Sequence, residues 1–175
     1  MKPVAVLVLA AALAAAAPGA SAEASIKPWS GTPRLALSGR ALDGHGVDLE
    51  ALQGHVVLVN FWATWCEPCI AEMPSIERLR AKLGGQPFDV IAVNYGESRE
   101  RITEFLQRQH VSLPVLLDPG QEAANAWNAK GLPMTFLVDA DGRVRYWVFG
   151  EMDWDRGEGL KVVQQLVAEA PRAGH

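Results

Sequence analysis

The chain has 175 residues, 49% of them hydrophobic and 21% charged, with a formal net charge of −4. That length fills one compact core, and the apolar content is too high for a disordered chain. With 16 Lys+Arg against 20 Asp+Glu there is no basic excess, so nucleic acid is not an expected partner.

Met1-Lys2 gives a short positive start, and Val4 to Ala17 is an unbroken apolar run of 14 residues. Pro18-Gly19 ends it, and Ala20-Ser21-Ala22 fits a small-x-small cleavage pattern. Residues 1–22 therefore read as a secretory signal peptide. An uncleaved tether is the alternative, but the run is short for a membrane span. No cysteine follows it, so a lipid-modified N-terminus is not expected. The destination is an oxidising compartment, and a bacterial periplasm is the expectation.

Residues 23–32 are polar, small and Pro/Gly-containing, and are expected to be a flexible leader. Arg34 to Leu42 and Gly46 to Leu49 predict a short hairpin about Asp43-Gly44. His55 to Phe61 is a continuous apolar run, as in a strand covered on both faces. A helix is predicted from about Cys66 to Leu83. Ile70, Met73, Ile76, Leu79 and Leu83 recur at helical spacing, Gly84-Gly85 stops it, and Pro74 should kink it. Phe88 to Val93 predicts a strand and Ser98 to Gln109 a helix, with Ile102, Phe105 and Leu106 inward. Val115 to Leu117 predicts a short strand. Asp118-Pro119-Gly120-Gln121 then reads as an N-cap, a first-turn proline and a capping-box Gln for a helix ending near Gly131. Met134 to Val138 and Val144 to Phe149 form a hairpin about Asp141-Gly142. Asp153 should cap a last helix to about Glu169. The fold class is α/β: one domain over residues 33–170, a mixed central sheet with helices on both faces and an added N-terminal β-hairpin, then a tail at 171–175.

Cys66 and Cys69 are the only cysteines, and they form a Cys-x-x-Cys pair between a buried strand and a helix. Unpaired N–H groups at the helix N-terminus favour a thiolate at Cys66. Cys69, one turn on, is placed to resolve a mixed disulfide. A purely stabilising bridge is the first alternative, but so short a loop gives only about 2 kcal/mol by the chain-entropy relation. A structural zinc is the second. It needs four ligands, and His45, His55, His110 and His175 have no paired spacing. Redox chemistry is the favoured reading, and neither a cofactor nor a metal is expected.

Phe61-Trp62-Ala63-Thr64-Trp65-Cys66-Glu67-Pro68-Cys69 resembles the active-site segment of the thioredoxin superfamily. Gly131-Leu132-Pro133-Met134-Thr135-Phe136 resembles its cis-proline loop. Val93-Asn94-Tyr95-Gly96-Glu97-Ser98 resembles the segment that marks the ResA/TlpA branch of thiol–disulfide reductases. The resemblance implies a thioredoxin-like fold and a redox-active disulfide, with Cys66 the nucleophile and Cys69 the resolving thiol. Pro133 would be the cis-proline, and the backbone of Leu132 could pair with an extended substrate. Met134 departs from the Thr common after that proline.

Glu97 alone reads as a solvated first-turn acid. Thioredoxin places a buried Asp at the end of the strand before its cysteines, where this chain has Asn60. The resemblance makes Glu97 the candidate to exchange the proton of Cys69, with partial burial raising its pKa toward neutrality. Glu67 should disfavour the Cys66 thiolate and make the couple more reducing, and Pro68 fits the first helical turn. Trp65 is expected to touch substrate, and Trp62 is either core or contact. Trp127, Trp147 and Trp154 are expected to be packing.

The implied activity is a periplasmic thiol–disulfide oxidoreductase reducing protein disulfides. The implied substrate is the haem-binding cysteines of apocytochrome c during cytochrome c maturation. A membrane thiol-transporting reductase would be the electron donor, and a monomer is expected. The alternatives are a reductant for copper-centre assembly or a Cu(I)-binding metallochaperone using both thiolates.

Overall fold

The structure, a computed structural model, describes residues 24–171. The expected signal peptide lies outside the described residues, as does the tail beyond Pro171. Along the chain run β1 (Lys27–Pro28), β2 (Ser38–Arg40), β3 (Gly46–Asp48), β4 (Val56–Trp62), α1 (Glu67–Lys82), β5 (Phe88–Tyr95) and α2 (Arg99–Gln109). Then follow β6 (Val115–Asp118), α3 (Glu122–Ala126), β7 (Met134–Val138), β8 (Val144–Phe149) and α4 (Gly157–Glu169).

Six strands form one sheet in the order β1-β8-β7-β4-β5-β6. The helix-linked neighbours β4, β5 and β6 are parallel, while β7, β8 and β1 add antiparallel strands. This is the expected mixed sheet. β4 lies at its centre with all seven residues buried. Alternation along β4 splits the core into two layers. Val56, Leu58 and Trp62 face α1, α2 and α4, while Val57, Val59 and Phe61 face Ala124 of α3, Trp127 and Leu37. The hairpin β2–β3 pairs Ser38–Arg40 with Gly46–Asp48 and joins the sheet edge where Ala41 bridges Leu116.

Three local expectations are corrected, at the leader, α3 and α4. The leader is not free of structure: Lys27 and Pro28 pair with Trp147 and Tyr146 of β8 as an edge strand. A proline is tolerated there because an edge strand leaves one row of N–H groups unused. α1 runs as one helix from Glu67 to Lys82 with Pro74 inside it.

α3 starts at Glu122, with Gln121 in a left-handed conformation, and it ends at Ala126. Asp118 still caps it, but from farther back: its carboxylate accepts the N–H groups of Ala123 and Ala124 at 3.1 and 2.9 Å. α4 starts at Gly157, and Asp153 does not cap it. The segment before α4 is held on α1 instead. Met152 and Trp154 bond to Glu72 and Ser75, and Asp155 pairs with Arg78 and Lys82.

Candidate active site

The site sits where β4 ends and α1 begins. Cys66 is the N-cap of α1 and Cys69 lies in its first turn, joined by a disulfide of 2.06 Å. The Cys69 N–H donates to Cys66 Sγ at 3.3 Å. That contact, with the helix terminus, stabilises negative charge on Cys66 once the bond opens. Both cysteines are buried; Glu67 and Pro68 between them are exposed. Trp65 is 61% exposed beside Cys66, whereas Trp62 is core, its ring 5.6 Å from Phe105.

Met134 pairs with Phe61, so the loop leading into β7 lies beside the end of β4. The Leu132–Pro133 bond in that loop is cis. The Pro133 carbonyl accepts from Gly150 N–H at 3.0 Å. Among the described residues neither the N–H nor the C=O of Leu132 has a hydrogen-bond partner, which leaves both available to an extended chain.

Glu97 stands in the turn after β5, where Gly96 takes φ 76°. That left-handed conformation suits glycine. One Glu97 oxygen accepts from Thr64 N–H at 2.7 Å and Asn94 Nδ2 at 2.9 Å. The other accepts from Thr64 Oγ1 at 2.6 Å and Arg101 Nε at 2.8 Å. Burial pushes this carboxyl up, but Thr64, Asn94 and Arg101 together outweigh it and hold its pKa below the usual glutamate value. The expectation of a near-neutral Glu97 is therefore corrected. It is a fixed anion that ties down the residue two positions before Cys66.

The near-neutral acid is Glu72, which sequence reasoning passed over. It sits on α1 three residues after Cys69, hence on the same helix face, and is 1% exposed. Asn60 Nδ2 donates to one oxygen at 2.7 Å, and Met152 N–H and Trp154 Nε1 donate to the other at 3.2 and 3.3 Å. Burial dominates these bonds and pushes the pKa up to about 8. Trp154, expected to be packing, is thus part of this network, and so is Asn60, the residue in place of the thioredoxin Asp. A signal did exist: an acid lies within the inward stripe Cys69, Met73, Ile76 and Leu79. The buried Asn60 Oδ1 has no partner. An amide can turn over, presenting N–H to a carboxylate or C=O to a carboxylic acid.

A thioredoxin-like sheet with a Cys-x-x-Cys disulfide at a helix start and a cis-proline beside it defines the class of thiol–disulfide oxidoreductases. The family model described as Redoxin matches residues 18–163, and the chain belongs to that family. It is 37% identical over 111 residues to the thiol-disulfide oxidoreductase ResA of Geobacillus kaustophilus, covering 63% of this chain and 64% of that protein. It is 35% identical over 128 residues to ResA of Bacillus subtilis, covering 73% and 70%. The chain thus spans slightly under two thirds of the length of the first relative. A crystal structure of a thiol:disulfide interchange protein of the thioredoxin family from Chlorobium tepidum matches with TM-score 0.67 and 26% identity, over 81% of this chain and 97% of that one.

Proposed function

We propose that this protein is a periplasmic reductant of protein disulfides. Cys66 is the nucleophile, Cys69 the resolving thiol, and Glu72 exchanges the proton of Cys69. The observation that carries the reading is the placement of Glu72: a buried carboxyl one helical turn behind the buried cysteine, with a pKa near that of a thiol.

In the reduced protein the Cys66 thiolate attacks one sulfur of a substrate disulfide. The Cys66–substrate bond forms, and the substrate's other sulfur leaves as a thiolate and takes a proton. Cys69 then loses its proton and attacks Cys66 Sγ. The intramolecular disulfide forms, the second substrate thiol is released, and two electrons have passed to the substrate. Cys69 is too buried to give its proton directly to bulk water. A carboxyl with a pKa close to the thiol's moves that proton at little free-energy cost in either direction.

The reducing direction is supported by Glu67, whose charge opposes a thiolate at Cys66 and so favours the oxidised pair. The resemblance of residues 93–98 to the ResA/TlpA branch suggests a role in cytochrome c maturation, with apocytochrome c as substrate and a membrane thiol-transporting reductase as donor, and the two relatives bear the name thiol-disulfide oxidoreductase. Among the described residues no helix is long and apolar enough to cross a membrane.

Equilibration with glutathione tests the direction. The expected potential lies below the glutathione couple, and one at or above it overturns the reductant reading. Cys69→Ser should hold the substrate as a mixed disulfide on Cys66, and the protein captured identifies the pathway.

A further inference from the structure

Among the described residues two large hydrophobic side chains are exposed, Trp65 at 61% and Phe149 at 55%. Trp65 is next to Cys66, and Phe149 lies against Gly131, where an added Cβ would stand 2.5 Å from the ring. Glycine at 131 therefore lets the Phe149 ring abut the chain just ahead of the Leu132–Pro133 bond.

Beyond Phe149 the sheet face opens into a groove of about 330 Å³, walled by Met134, Trp147 and Phe149 and rimmed by Lys27 and Lys130. Register puts these side chains on one face, because Met134 pairs with Phe149 and Lys27 with Trp147. Lys27 lies over the Trp147 ring at 5.1 Å. Among the described residues neither lysine has an ion-pair partner, although the whole chain is acidic. The groove is an apolar slot with two positive charges at its rim that carry no ion-pair partner among the described residues, and it reaches Gly131 of the loop that leads to Pro133.

We propose that this groove selects the protein substrate. It holds an extended segment of that substrate with a large apolar side chain and a carboxylate next to it, near the disulfide being reduced. The proposal rests on the reductase reading above. Gly131 lies two positions before Pro133, a reach of about 7 Å in extended chain. A substrate strand laid along Leu132 therefore brings a residue about two positions from its cysteine to Phe149. The ring and Trp147 cover the apolar side chain, and Lys27 and Lys130 meet the carboxylate.

Three peptides with one shared disulfide core test this. They carry Phe-Glu, Phe-Lys or Ser-Gly about two residues from the core, on both sides. Their reduction by the full chain is followed as kcat and KM. Wild type should favour Phe-Glu over Phe-Lys by roughly tenfold, through KM, and the preference should shrink at high salt. Lys27→Glu with Lys130→Glu should reverse the order. Phe149→Ser should remove the advantage of Phe-Glu over Ser-Gly.

Equal kcat/KM for the three peptides in wild type would overturn the groove while leaving the reductase standing, and that comparison needs no variant. An unchanged order in the charge-reversed protein would overturn it as well. If wild type reduces none of the peptides and matches a protein lacking both cysteines, the reductase reading fails and the groove proposal fails with it.

Discussion

Asn60 Nδ2 and Glu72 Oε1 are 2.7 Å apart, joining the central strand β4 to the first turns of α1 beneath the disulfide. Asn60 also donates to Thr135 Oγ1 on β7 at 2.9 Å. One amide thus links the strand that leads to the cysteines, the helix that carries them and the strand that follows the cis-proline. A titratable Asp at position 60 would place a second buried carboxyl against Glu72, and each would oppose ionisation of the other. Asn60 instead leaves a single proton to manage, on Glu72.

Removing that proton site should slow resolution. In Glu72→Gln, release of a mixed disulfide from Cys66 should fall by about 100-fold and lose its inflection near pH 8, whereas first attack by Cys66 changes little. Quenched-flow trapping of the mixed disulfide across pH 6–9 separates the two steps. An inflection that survives the substitution would move the role away from Glu72.

Stability should carry the same signature. The folded pKa of Glu72 is raised above its unfolded value of 4.5, to about 8. The protonated carboxyl is therefore the form the fold prefers. Its contribution is complete below pH 4.5 and is lost as pH rises through 8. Between pH 5 and pH 9 the oxidised protein should lose about 4 kcal/mol from this group, an upper figure given relaxation on ionisation. Urea unfolding at both pH values measures it, and Glu72→Gln should be flatter over the same range.

Asp118 tests a different joint. Its carboxylate takes two N–H groups at the start of a five-residue helix that is too short to be stable alone. Asp118→Ala should cost about 2 kcal/mol, and Asp118→Asn about half as much because one acceptor remains. Chemical denaturation of both variants checks the order. Unchanged stability in Asp118→Ala would mean that the capping bonds contribute nothing.

What could be read from the chain divides by range. β4 was legible because burial on both faces leaves a continuous apolar run. The redox pair was legible because a helix terminus acts on Cys66 locally. β1 was not legible: two residues, one of them proline, have no period, and only the edge of β8 gives them a partner. The start of α4 is not legible because Asp153 holds a plausible capping position in sequence. Trp154 and Asp155 are drawn onto Glu72, Arg78 and Lys82 of α1, and the helix begins only after them. For Glu97 the family resemblance suggests partial burial but not its donors. Thr64 lies 33 residues earlier in the chain and is brought beside Glu97 by the parallel pairing of β4 with β5.

Those donors decide what Glu97 does. Its pKa lies below 4.5, so it is ionised throughout the working range, and its stabilising contribution is present above pH 4.5 and lost as pH falls through the lowered value. It therefore has no proton to exchange near neutrality. It holds the Thr64 N–H and hydroxyl, with Arg101 closing the cluster on Thr64 Oγ1 at 2.9 Å. Glu97→Ala should leave the pH profile of disulfide exchange unshifted while lowering the rate about tenfold at every pH, because the loop before Trp65 and Cys66 loses its tether. Glu97→Gln keeps one acceptor and should recover part of the loss. A pH–rate series on both variants decides the matter: a displaced inflection in Glu97→Ala would return the proton to Glu97, and a parallel drop assigns it to holding the loop.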